Sequence, residues 1–169
     1  MKYKTLVSVV AIFLSVNVYA DPTISVSGGR AVSNSISDEH STAWEVEQET
    51  PTKYGTWLFG YLNEGHQSNS YGGDKRDGIY AQYEVPYRLT HTIHTSFAVG
   101  PYFTATTITD PDGIHYRDSY STALLGTVGI KYSLNEKWSA LFKWNHVIFA
   151  PRNKDADVFL IGVGYTPDY

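Results

Sequence analysis

Apolar and polar residues alternate with a period of two through segment after segment of this chain, and almost nothing repeats with the period of a helix. Turn-forming clusters separate eight such segments, at about residues 23–32, 42–49, 55–66, 78–88, 93–107, 119–132, 137–149 and 156–167. The connections alternate in length. After the first, third, fifth and seventh segments come "SNSISDEHS", "QSNSYGGDKRD", "ITDPDGIHYRD" and "APRNKD", which are long and rich in Asp, Asn, Gly and Ser. After the second, fourth and sixth come the shorter "TPTKYG", "LTHT" and "SLNE". An even number of strands joined by alternating long and short loops predicts an all-β fold, an eight-stranded antiparallel up-and-down transmembrane β-barrel, with long loops outside the cell and tight turns in the periplasm.

The faces of the segments bear on the same expectation. In the seventh, Trp138, Ala140, Phe142 and Trp144 share one face, and Ser139, Leu141, Lys143 and Asn145 the other. In the fourth, Ile79, Ala81, Tyr83, Val85 and Tyr87 oppose Tyr80, Gln82 and Glu84. In the fifth, Phe97, Val99, Pro101 and Phe103 oppose Ser96, Ala98, Gly100, Tyr102 and Thr104. The larger apolar face is expected to meet lipid, and the polar face to fill a narrow interior; a soluble barrel would reverse the two. The third and sixth segments carry apolar residues on both faces, which predicts a bulge or a partly apolar lumen there. Trp57, Tyr61, Tyr87, Trp138 and Tyr165 suit two interfacial girdles.

The N-terminus adds a destination. Lys2 and Lys4 precede an apolar run from about Leu6 to Val16, and Val18-Tyr19-Ala20 suits signal cleavage. Residues 1–20 are thus expected to be a secretory signal peptide, and residues 21–169 one outer-membrane barrel domain of about 149 residues. That apolar run is too short for a spanning helix, which needs roughly 20 apolar residues. Composition changes the picture in three respects. There are no cysteines, so no disulfide framework holds the exported chain. The formal net charge of -4 argues against a nucleic-acid partner. The aromatic content, 15% with 14 tyrosines, suits a membrane barrel.

The C-terminal "DVFLIGVGYTPDY" puts Phe159, Ile161, Val163 and Tyr165 on alternate positions. It resembles the closing-strand signature of bacterial outer-membrane barrels, which the barrel assembly machinery reads. Pro167 cannot donate a ladder hydrogen bond, so Tyr165 is the expected closing aromatic, with Tyr169 trailing. The whole mature chain resembles small barrels of the OmpX type and the OmpA transmembrane domain, which implies a structural or surface-binding role, outer-membrane lipids and lipopolysaccharide as surroundings, and no cofactor. Eight strands leave an interior that side chains fill, so no large pore is expected.

The last third, through "VGPYFTATTI" and "TALLGTVGIKYSLNEKWSALFKWNHV", resembles the lipid A 3-O-deacylase family more specifically. That resemblance implies a His-x-Ser pair on the lipid-facing side of a late strand, a Ser that attacks a lipid A ester, a His that acts as its base and an acid on the next strand. On this sequence the His falls on His146, the Ser on Ile148 and the acid near Asp157. Pairing Trp144 with Phe159 would set His146 opposite Asp157, where a carboxylate orients the imidazole. Ile148 has no hydroxyl and Ser139 faces inward, so a nucleophile would have to be a Ser or Thr brought near by a neighbouring strand or loop, such as those around Ser119 to Thr122, or a water such a residue binds and His146 activates. Alternatively His146 is simply the first polar residue where the strand reaches the headgroups. His91 and His94 fall in a periplasmic turn with no carboxylate beside them, and Asp110–Gly113 is turn chemistry, so no metal site is expected. Lys75 and Arg76 in the second long loop could meet lipopolysaccharide phosphates.

Overall fold

The computed structural model describes residues 21–33, 40–69, 72–109, 115–148 and 155–167. The segment expected to be a signal peptide, the Asp110–Gly113 turn and Tyr169 lie outside them. Eight strands follow in order: β1 (Thr23–Ser33), β2 (His40–Pro51), β3 (Thr56–Asn69), β4 (Gly72–Arg88), β5 (Ile93–Thr109), β6 (His115–Ser133), β7 (Trp138–Ile148) and β8 (Ala156–Tyr165). Each pairs antiparallel with its neighbours, and β8 closes on β1 from Ile24 opposite Tyr165 to Ser33 opposite Ala156. Closure leaves no strand edge, so the ladder satisfies the backbone of the wall throughout.

Three tight turns lie at one end. In the β2–β3 turn the backbone N–H and the hydroxyl of Thr52 both donate to the Gly55 carbonyl, at 2.7 and 2.8 Å. In the β6–β7 turn the Asn135 side-chain oxygen accepts from the backbone N–H groups of Lys137 (2.9 Å) and Trp138 (2.8 Å), a local side-chain cap that fixes the reversal. The β1–β2, β3–β4, β5–β6 and β7–β8 connections lie at the other end, the long-loop end.

The wall is apolar outside and polar inside. Val26, Trp44, Phe97, Phe142 and Ile161 point outward and are exposed, whereas Glu45, Glu47, Gln82, Thr127, Lys143 and Asn145 are buried in the lumen. The faces expected for the fourth, fifth and seventh segments are those observed. The two strands with mixed faces each carry a register shift, although that of β6 falls before its mixed-face stretch. In β3 the register against β4 shifts between Asn63 and His66, around Gly65 at φ 78°. In β6 it shifts where Thr106 faces Ser119 and Thr107 faces Arg117. Each is a β-bulge, one extra residue that twists the strand. Leu58, Leu62, Ala123 and Leu125 of these strands face inward, the partly apolar lumen the pattern implied.

One correction concerns the second long loop. Gly72–Asp77, expected as loop on its Gly and charged residues, is the first part of β4. Arg76 turns into the barrel and its guanidinium pairs with the buried Glu64 of β3, through Nε to Oε1 at 2.7 Å and a second bond from Nη2 to Oε2. A bidentate ion pair holds the strand where local propensity does not. Arg76 is therefore a lumen residue and not a surface one, while Lys75 stays on the outside, 3.6 Å from Asp77. A smaller correction is that His94 belongs to β5; His91 alone is in the turn, with its Nδ1 2.7 Å from Arg88.

Candidate functional site

Two arrangements of polar groups emerge, one inside the barrel and one on its outer wall. Inside, the sequence "WEVEQE" of β2 aims Glu45 and Glu47 into the lumen, because alternate residues share a face. Lys143 of β7, nearly one hundred residues on, reaches both: Nζ donates to Glu45 Oε1 at 2.7 Å and to Glu47 Oε1 at 2.5 Å. Asn145 donates to the other Glu45 oxygen at 2.8 Å, and the Tyr80 hydroxyl to the other Glu47 oxygen at 2.7 Å. Gln82 extends the network to the Leu125 carbonyl (2.8 Å) and Thr127 (3.0 Å), and Thr127 donates to Asn145 at 2.7 Å. A buried cation flanked by two carboxylates, each of whose oxygens accepts a hydrogen bond, is a satisfied plug. Toward the long-loop end it is overlaid by an apolar collar of Ala31, Leu62, Tyr102, Leu125, Val147 and Val158.

Toward the tight-turn end the lumen widens into a vestibule of about 280 Å³, lined by Glu49, Glu84, Lys131 and Ser96 among others. Lys131 and Glu49 are bound across it at 2.6 Å. The plug and the collar side chains occupy the lumen between this vestibule and the long-loop end. The lumen network was missed in the sequence, although three glutamates alternating with Trp44 and Val46 are a signal for it. A row of inward carboxylates demands inward cations, and Lys131 and Lys143 were the inward lysines available.

On the outer wall, Trp144 of β7 pairs with Phe159 of β8 and His146 with Asp157, the register expected from the sequence. His146 Nδ1 lies 2.8 Å from Asp157 Oδ1, and the Trp144 indole N–H donates to that same oxygen at 2.7 Å. The pair is partly exposed at the long-loop end of the wall, just beyond the apolar band. Ile148 shares its face. Ser139 is buried at the opposite end of the same strand. The position in β6 opposite His146 is Gly126, and Thr122 lies four residues beyond it, about 13 Å along the strand. Ser121 faces inward, its hydroxyl 2.7 Å from that of Thr104. Of Ser119 only the backbone pairing is described. Among the described residues no hydroxyl is hydrogen-bonded to His146, and no group of three or more His, Cys, Asp or Glu side chains is set to hold a metal.

The same band of wall continues across the β8–β1 closure. Beside Asp157 come Val32 of β1 and then His40 of β2; one row deeper, Phe159 is followed by Arg30 and Thr42; a further row deeper, Phe142 and Ile161 are followed by Gly28 and Trp44. At Gly28 the wall has no side chain, and a hollow of about 300 Å³ opens there.

The fold these features sit on is that of small outer-membrane barrels. The chain is similar to Neisserial surface protein A (TM-score 0.72, 12% identity, covering 86% of this chain and 97% of that one). It is similar also to Ail, the attachment invasion locus protein of Yersinia pestis (TM-score 0.61, 10% identity, 86% and 98% covered). The outer membrane protein OprG of Pseudomonas aeruginosa gives a TM-score of 0.59 at 13% identity, with 90% and 98% covered. No family model matches the chain, and no curated protein sequence does.

Proposed function

We propose that the chain is an integral protein of the bacterial outer membrane, a plugged barrel that conducts no large solute and whose surface groups at the long-loop end carry any binding. The observation that carries this reading is the inversion of the wall. Ile161, Val85, Phe97 and Val26 are all more than half exposed while Glu45, Glu47 and Lys143 are buried. In water such an arrangement would expose a continuous apolar belt, whereas a bilayer covers that belt and the lumen keeps the charges away from lipid. The tight-turn end then faces the periplasm, and exposed Trp57, Tyr87, Trp138 and Tyr165 lie at the lipid boundary on that side. The test is membrane fractionation with gel mobility: the folded chain should partition with outer membranes and migrate faster before boiling than after. A chain soluble in the periplasm without detergent, with no heat-dependent shift, would sink the proposal in favour of a soluble calyx.

A second reading rests on the His146–Asp157 pair. In it the chain is a lipid A ester hydrolase of the deacylase kind, with His146 as base and Asp157 orienting it. The 2.8 Å contact on the lipid-facing side supports a base and its acid. Ile148 at the nucleophile's position and the distance to Thr122 count against it. Mass spectrometry of lipid A from cells expressing the chain, or its His146→Ala variant, separates the two: loss of an acyl chain that depends on His146 would establish the hydrolase, and unchanged lipid A the non-enzymatic barrel.

A further inference from the structure

We propose that the hollow at Gly28 is a seat for one acyl chain of a phosphorylated glycolipid of the lipid A type, with the lipid's phosphate on Arg30. The inference rests on the outer-membrane reading above and goes beyond it by naming a partner and its place. In an unbroken lipid-facing wall each outward position carries a side chain. Here the row that runs Phe142, Ile161, Gly28, Trp44 is interrupted at its third position. A Cβ added at Gly28 would meet nothing beyond its own chain neighbours within 4 Å, so no close approach of backbone requires glycine there. The absence leaves a hollow of about 300 Å³ floored by Gly28 and walled by Phe142, Phe159 and Ile161, at the lower end of the size of ligand clefts.

The charge at its upper rim decides what kind of lipid. Arg30 and His40 line the hollow toward the long-loop end, both are exposed, and neither is bonded to another group among the described residues. Asp157 lies on the adjoining strand, but its Oδ1 is occupied by His146 and by the Trp144 indole. An arginine on the lipid face is tolerated near the interface and costs more with depth. A guanidinium one row inside the boundary is best satisfied by an anion at headgroup height, which it binds in a bidentate fork. An apolar trough running inward from such a cation fits a lipid with its phosphate above and its chain below. The rim lies at the end assigned to the cell exterior, where the leaflet lipid is the phosphorylated glycolipid.

The test uses the full-length barrel purified in a neutral detergent and native mass spectrometry with three added probes: lipid A, enzymatically dephosphorylated lipid A, and phosphatidylcholine. Lipid A should be retained as a single adduct, about tenfold more tightly than either other lipid. Arg30→Gln should cut that retention about tenfold, and Gly28→Leu, which fills the hollow with a residue the lipid face accepts, should abolish it. Heat-modifiable mobility of each variant reports an intact barrel. Intact variants that retain lipid A as well as the original chain, or equal retention of phosphatidylcholine, overturn this proposal alone. A chain with no heat-modifiable barrel overturns the membrane reading and this one with it.

Discussion

Lys143→Met isolates the plug. The lysine is buried against Glu45 and Glu47 and bonded to both; among the described residues the carboxylates otherwise accept from the Asn145 amide and the Tyr80 hydroxyl. Methionine keeps about the same volume and removes two charge-assisted hydrogen bonds together with the compensating charge. Leaving one side of a buried ion cluster uncompensated typically costs about 3–5 kcal/mol. Against a total stability of roughly 5–15 kcal/mol, that is a large fraction. Urea unfolding in lipid vesicles, followed by tryptophan fluorescence, should show the loss as a lower midpoint with an unchanged slope. The same physics demands a rescue. Adding Glu45→Gln and Glu47→Gln removes the stranded charges while keeping acceptors for Asn145 and Tyr80, so the triple variant should regain most of what the single one lost. A single variant within about 1 kcal/mol of the original chain, or a triple variant no better than the single, would refute the plug as a tightly coupled unit.

The bulge and the hollow make a matched pair of glycine predictions. Gly65→Ala forces a Cβ into a left-handed backbone and against the Thr42 carbonyl oxygen, and should cost about 1–3 kcal/mol in the same urea assay. Gly28→Ala enters open space and should stay within about 0.5 kcal/mol. Liposomes containing the barrel should not swell in isotonic sugars, since side chains of the plug and collar occupy the narrow eight-stranded lumen beyond the vestibule; swelling at a porin-like rate would refute this. Trp144→Phe removes one partly exposed hydrogen bond to Asp157 and should lower stability by no more than about 1.5 kcal/mol, which the urea midpoint reads directly.

How much of this was readable in advance depends on the range of each interaction. Eight segments were legible because a wall with one apolar face writes its period into every strand. The His146–Asp157 pairing was legible too, since β7 and β8 are consecutive and the match of Trp144 with Phe159 fixes their register. The start of β4 was not. "GGDKRD" has the composition of a turn, and what makes it a strand is a contact its own residues do not announce, Arg76 on Glu64 across the lumen. The trio of Lys143, Glu45 and Glu47 was hidden for the same reason: a period of two says that a side chain points inward but not which other inward side chain it meets.

By itself the sequence determined the class of structure, the number of strands, the alternation of long and short connections and the inside-out distribution of polarity. All of these follow from alternation and turn chemistry, which act over a few residues. Only the tertiary structure decided what the barrel does with its chemistry: a lysine shared between two glutamates, an apolar collar above it, a histidine bonded to an aspartate and to no hydroxyl among the described residues, and a hollow at Gly28 beneath Arg30. Each depends on closing β8 against β1 and on the register across eight strands, and a shift of two residues at any one pairing would preserve every face while changing every partner.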